Sequence, residues 1–103
     1  MIKNYRQGDV LLSGVVLNPG WRKLHRPKKD NIIIEGEVTG HRHEVVNGKL
    51  YEKPGDKDVM ILEAGEGCKV IHPEHGTIDM PKGTYEIAIQ REYTGEDARK
   101  VKD

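Results

Sequence analysis

Turn-forming residues interrupt this chain so regularly that they leave little room for a long helix. Twelve glycines and five prolines are spread along the sequence, at the spacing of about ten residues that is typical of all-β domains. The segment Asn31–Val38 is rich in β-branched residues, which favour strands. The sequence therefore predicts an all-β fold, a small antiparallel barrel or sandwich of about seven to nine strands.

The hydrophobic pattern divides the chain into a β domain and a tail. We expect residues 1–93 to form a single β domain and residues 94–103 to form a charged C-terminal tail, frayed or folded as a short helix. Trp21–Asp30 is basic and contains a proline, so it is expected to be a long loop or arm. The alternating segment Thr84–Tyr93 predicts a strand that could pair at a sheet edge.

One hairpin is predicted with a definite register. Asn47-Gly48 lies between two apolar segments, and this dipeptide is the strongest short-range signal for a type I′ turn. A two-residue loop there would place Val45 opposite Leu50 and His43 opposite Glu52. Because side chains alternate along a strand, the same register turns His41 and His43 toward the core.

Charge and cysteine content limit the classes of function. The chain has 17 basic and 17 acidic residues and a formal net charge of zero, so nucleic acid and membrane partners are not expected. No apolar run approaches the roughly 20 residues of a membrane span. The N-terminal residues lack the apolar stretch of a signal peptide. A single cysteine, Cys68, excludes an internal disulfide and is expected to be a small core residue in a cytoplasmic protein.

Four of the five histidines occur in two close pairs. His41 and His43 form the first pair, and His72 and His75 form the second. Neutral imidazole is the commonest protein ligand for transition metals, so the two pairs could together supply the four ligands of one site. His72 continues the apolar face of its strand, and His75 follows in a turn that could bring it back toward His72.

This pattern predicts a divalent transition metal as the cofactor, but spacing alone does not choose among zinc, iron, nickel, manganese and copper. A closed shell of four histidines would be structural, whereas three histidines would leave a position for an activated water. In the second case the candidate catalytic bases are Glu52, expected beside His43, and Glu74, in the turn of the second pair. His25 is expected to be a surface residue.

Two other functions remain open from the sequence. The chain could be a non-catalytic, homo-oligomeric assembly or binding module, since small β proteins with open edges often form rings. It could also cleave a phosphodiester without metal, using histidines as general acid and base, with Arg91 holding the phosphate. We expect a homo-oligomer with a small-molecule or nucleotide ligand.

The first histidine pair lies in a segment that resembles the histidine strand of the cupin family. Residues 35–43 have a glycine-containing strand followed by His-x-His. In this chain Glu44 follows the pair directly, without the gap of several residues that cupins have. The resemblance implies a barrel that holds a metal. The positions that match the family's ligands are His41 and His43 for the pair, His72 or His75 for the late histidine, and Glu44 or Glu52 for the carboxylate.

Over most of its length the chain is similar to small bacterial and phage proteins. The shared segments are Arg6–Leu12, the Gly-His-x-His segment, Pro81–Ile87 and Gln90–Tyr93. The resemblance implies an all-β protein with a GHxH…HxxH pattern and brings no activity with it. It also implies a complete prokaryotic or viral protein with no missing domain.

Overall fold

The computed structural model describes residues 4–35, 40–90, 93–94 and 97–98. The described residues are mostly strands, with one short helix, so the all-β prediction is confirmed. The elements are β1 (Asn4–Gln7), β2 (Val10–Gly14), α1 (Trp21–Leu24), β3 (Arg26–Pro27), β4 (Ile32–Glu35), β5 (Arg42–Lys53), β6 (Asp56–Ile71), β7 (Ile78–Met80), β8 (Gly83–Ile89), β9 (Tyr93–Thr94) and β10 (Asp97–Ala98).

Eight strands form one antiparallel sheet that is not closed into a barrel. The order is β1-β2-β8-β6-β5-β3, with β4 also paired to β5 and β7 also paired to β6. Because β8 lies between β2 and β6, the expected pairing edge at Thr84–Tyr93 is wrong for this strand. An alternating pattern indicates that one face of a strand is buried. Internal and edge strands of such a sheet both have one buried face, so the pattern does not distinguish them.

The C-terminal tail contains a second, two-stranded ladder. β9 and β10 pair antiparallel, with Asp97 opposite Thr94 and Ala98 opposite Tyr93. The described part of the tail is therefore strand and not helix. The rest of the predicted tail lies outside the described residues.

The predicted hairpin at Asn47-Gly48 is wrong, because β5 continues through these residues. The chain reverses at Pro54-Gly55 instead, where Lys53 pairs with Asp56 and Gly55 has a φ of +87°. Asn47 has a φ of +57° beside a shift in the register of β5 on β6. A left-handed asparagine suits a β-bulge as well as a type I′ turn, which is why the dipeptide misled the prediction.

The long ladder between β5 and β6 consists of two parts. Gly48 pairs with Ala64, but Val46 already pairs with Lys69. Four residues of β6 are therefore accommodated opposite one residue of β5, and Gly67 among them has a φ of +72°. The first part of β6 also pairs with β8 and the second part with β7, so β6 links the two regions of the sheet.

One hydrophobic core serves both regions. Its fully buried members come from every long strand and include Cys68, which confirms the prediction for this residue. The largest are Leu12, Leu50, Leu62, Ile87, Val10, Val45 and Val70. Among the described residues, no helix has the length and apolar character that crossing a membrane would need.

Candidate histidine centre

The two histidine pairs meet at one end of the β5–β6 ladder. His43 lies near the start of β5, and His72 directly follows the end of β6, where Ile71 pairs with Glu44. The ring centroids of His43 and His72 are 4.4 Å apart. His75 lies 4.5 Å from His72 and 6.0 Å from His43, and His41 lies 5.5 Å from His72. These four residues are called the histidine centre below.

The centre extends from the core to the surface. His43 is completely buried and His72 is 7% exposed. His41 retains 27% of its side-chain exposure. The predicted inward orientation of the first pair is therefore confirmed for His43, which lies on the same buried face of β5 as Val45.

Gln7, at the end of β1, holds the buried side of the centre. Its side chain is 2% exposed, and its Oε1 lies 2.8 Å from Nδ1 of His43. Its Nε2 donates to the carbonyl oxygens of Val70 (3.0 Å) and Gly76 (2.8 Å). Sequence reasoning missed this residue, because a polar side chain at the end of a short strand usually points to solvent.

These hydrogen bonds fix how each of two rings carries its proton. Because Nε2 of Gln7 donates twice, its Oε1 must accept from His43, and the proton of His43 lies on Nδ1. His72 is the opposite case: its Nδ1 accepts from the backbone N–H groups of Glu74 and His75 at 3.0 and 3.1 Å. The neutral ring of His72 therefore carries its proton on Nε2, which is buried.

A cleft of about 480 Å³ opens beside the centre. Nδ1 of His41, which lines the cleft, lies 3.8 Å from Oε1 of Glu74, and the Glu74 side chain is 66% exposed. The carboxylate can orient the His41 ring while remaining in contact with water. The residues that line the cleft are Gly40, His41, Arg42, Glu44, Ile71, His72 and Pro73.

Glu52 does not belong to this site. It pairs with Met60 and Arg26 near the other end of β5, and the nine residue steps along the strand from His43 to Glu52 correspond to on the order of 30 Å. Its carboxylate accepts a hydrogen bond of 3.3 Å from Nε of Arg26. The prediction that Glu52 lies beside His43 is therefore wrong, because it depended on the Asn47-Gly48 hairpin.

A second polar cluster, also missed from the sequence, joins the basic segment to the sheet. Trp21 of α1 packs edge-on against Tyr51 with 4.9 Å between ring centroids. The Arg22 guanidinium lies 4.7 Å from the Trp21 ring centre and pairs with Glu63. Hydrogen bonding to Tyr51 and the nearby Glu63 carboxylate raise the pKa of Arg22. His25 Nδ1 donates a hydrogen bond to the carbonyl oxygen of Trp21, 2.8 Å away. The cluster therefore positions the basic segment against the sheet.

The described residues do not contain a preformed metal site. No group of three or more His, Cys, Asp or Glu side chains among them is arranged to hold an ion. Arg91, the expected phosphate ligand of the metal-free alternative, lies outside the described residues. The histidine centre is thus a cluster of four adjacent imidazoles, with one ring fixed by Gln7 and one by a backbone turn.

Comparison with known proteins identifies a family without adding an activity. The model of a family described as Domain of unknown function (DUF8820) matches residues 6–90. This span contains Gln7 and all four histidines of the centre. No curated protein and no solved structure matches the chain.

Proposed function

The chain belongs to this family, Domain of unknown function (DUF8820), and we propose from its site that it binds one divalent transition metal ion through the histidine centre. The observation that carries the proposal is the environment of His43. Its Nδ1–H is held by the amide oxygen of a buried Gln7, which leaves the lone pair on Nε2. Metal-binding histidines are typically held in this way, with the second ring nitrogen donating to an oxygen.

The spacing of the rings supports the same proposal. Zinc–nitrogen bonds of about 2 Å place imidazole centres about 5 Å apart around a tetrahedral ion. The four centroid distances of the centre lie between 4.4 and 6.0 Å. Metal binding then requires the rings to rotate from their present orientations toward a common point. For His72 it also requires the proton on Nε2 to leave, so His43 is the stronger ligand of the two.

A catalytic version of the centre follows if only three histidines bind. The open coordination position would face the cleft, which has room for a small molecule or a nucleotide. Glu74, which lies beside His41, would be the general base for a bound water. The donor set suits zinc, iron, nickel, manganese or copper.

The buried, unpaired thiol of Cys68 fits the proposed cytoplasmic location.

Elemental analysis of untagged protein tests the proposal. Wild type should carry one transition metal ion per chain, and the double variant His41→Ala/His72→Ala should carry much less. His25→Ala is the matched control, because His25 lies in the basic segment next to Trp21 and should leave the metal content unchanged. Metal-free wild-type protein that stays folded and does not take up added zinc, iron or nickel would overturn the proposal.

Metal-free acid–base catalysis is the second candidate, favoured by the different proton positions of two neighbouring rings. His43 has its lone pair on Nε2, whereas His72 has its proton on Nε2. One ring can therefore accept a proton while the other donates one, as phosphodiester cleavage requires. This candidate predicts activity on nucleotide phosphodiesters that persists in a chelator, whereas activity abolished by the chelator would favour the metal centre.

Homo-oligomeric assembly is the third candidate, favoured by exposed apolar side chains in the segment after β2. Val16 is 97% exposed and Leu24 is 63% exposed. Among the described strands of the main sheet, β1, β3, β4 and β7 each pair with one other strand, so assembly would use these open edges and not β8, which pairs on both sides. Size-exclusion chromatography with light scattering should show a defined oligomer of the wild type, and the double variant Val16→Ser/Leu24→Ser should weaken it. A wild-type monomer would contradict this candidate.

A further inference from the structure

Gln7 has three hydrogen bonds, more than positioning one strand requires. Its amide contacts β5 through His43, β6 through Val70 O and the turn after the second histidine pair through Gly76 O. Each of these contacts reaches a segment that carries or directly adjoins a histidine of the centre. A buried amide is costly unless its donors and acceptor are satisfied, and here each of these groups is used.

The orientation of this amide has a chemical consequence for His43. If the Gln7 amide were reversed, its NH₂ group would face the His43 ring, and its own oxygen would face the carbonyl oxygens of Val70 and Gly76. Only the observed orientation satisfies Val70 O and Gly76 O. The backbone of β6 and its following turn therefore determines that His43 is protonated on Nδ1 and has its lone pair on Nε2.

We propose that Gln7 is the positioning residue of the histidine centre, selecting the His43 tautomer whose Nε2 can bind a metal ion. This inference deepens the proposed function and rests on it for the metal, but the tautomer itself is a property of the metal-free protein. The hydrogen-bonding partners of metal-binding histidines typically change metal affinity by 10- to 100-fold when they are removed.

Nitrogen-15 NMR of the histidine rings in metal-free protein tests the inference. Wild type should show His43 protonated on Nδ1 and not on Nε2. Gln7→Met has a similar volume and no amide, so it should lose this preference and bind cobalt(II) about 10- to 100-fold more weakly. Gln7→Glu keeps an acceptor beside Nδ1 of His43 and should keep that nitrogen protonated, but it loses the two hydrogen bonds donated to Val70 O and Gly76 O and should be less stable than wild type. Gln90→Met is the matched control, since Gln90 is an exposed glutamine that accepts from Arg6.

The outcomes separate this inference from the proposed function. A wild-type His43 protonated on Nε2 would overturn the role of Gln7, and so would a Gln7→Met spectrum identical to wild type. The predicted tautomers together with no cobalt(II) binding by wild type would support the role of Gln7 and overturn the metal proposal. If Gln7→Met does not fold, the wild-type and Gln7→Glu spectra still decide the question.

Discussion

Gly48 lies where a side chain would collide with the core. A Cβ atom built there would be 3.0 Å from Cys68 Sγ, Leu62 Cδ1 and Val45 Cγ1. Because contacts this tight require the neighbours to move and all three side chains are fully buried, Gly48→Ala should lower the free energy of unfolding by about 1–3 kcal/mol. Gly20→Ala is the control, because Gly20 has a φ of −67° that alanine readily adopts. Urea unfolding that shows equal stability for both variants would contradict this prediction.

Cys68 makes stability depend on pH on the alkaline side. Burial raises the pKa of the Cys68 thiol, so the unfolded chain loses this proton at lower pH than the folded protein. The contribution of the neutral Cys68 thiol to folding stability is therefore complete below the pKa of an unfolded cysteine, about 8.5. It is lost as the pH rises toward the pKa of Cys68 in the folded protein. Burial also raises the pKa of the Tyr85 hydroxyl. Folding stability should therefore fall further at the higher pH where tyrosine ionises.

The Cys68 contribution can be isolated by comparing wild type with Cys68→Ala. Urea unfolding from pH 7 to 10 should show wild-type stability falling above about pH 8.5, and the variant should show a smaller fall over the same range. The variant will start from a lower value because it leaves a cavity. The prediction therefore concerns the slopes, and parallel slopes would contradict it.

At the scale of elements, the position of the turn between β5 and β6 is directly testable. Insertion of Gly-Ser between Pro54 and Gly55 lengthens an exposed turn and should cost about 1 kcal/mol or less. The same insertion between Asn47 and Gly48 falls within a strand beside the core and should greatly reduce folding. Circular dichroism and thermal unfolding distinguish the two, and a better tolerated insertion after Asn47 would restore the hairpin predicted from the sequence.

The class of the fold could be predicted from local patterns, but the connections between strands could not. Turn residues and alternation depend on neighbours in sequence, and they identified the strands around Val10, Ile33 and Ile87. Register depends on distant partners. Asn47 can adopt a left-handed φ in either a turn or a bulge. The bulge forms here because glycines of β6 lie opposite Asn47. At one of them, Gly65, a side-chain Cβ atom would lie only 3.0 Å from Asn47 O.

For the same reason, only part of the candidate site could be predicted from the sequence. The side of the strand that each of His43 and His72 occupies follows from alternation with apolar neighbours, and both are buried. Glu52 was assigned by a register that does not exist. Gln7 could not be found, because its partners lie 36, 63 and 69 residues away in sequence and no pattern near it predicts a buried amide.

At the scale of the whole molecule, the histidine centre joins regions that the sheet connects only indirectly. Gln7 belongs to β1, which pairs with β2, while His43 lies in β5 and His72 directly follows β6. An ion bound there would add a link between these segments in the folded state alone. Its binding free energy would therefore increase global stability, in proportion to the logarithm of the free metal concentration.

This linkage gives a prediction for thermal unfolding. Free zinc at about 100 times its dissociation constant should stabilise the protein by about 2.7 kcal/mol, which for a domain of this size raises Tm by about 10–20 °C. His25→Ala should show the same increase, and His43→Ala should show little or none. Equal increases in all three proteins would indicate binding elsewhere on the chain.

The most direct test of the metal centre is a cobalt(II) titration of metal-stripped protein followed by visible absorption. The proposed site predicts ligand-field bands that saturate at one ion per chain, are abolished by His43→Ala and are retained by His25→Ala. Absence of saturable bands in the wild type, or bands of equal intensity in His43→Ala, would contradict the proposal that this centre binds metal.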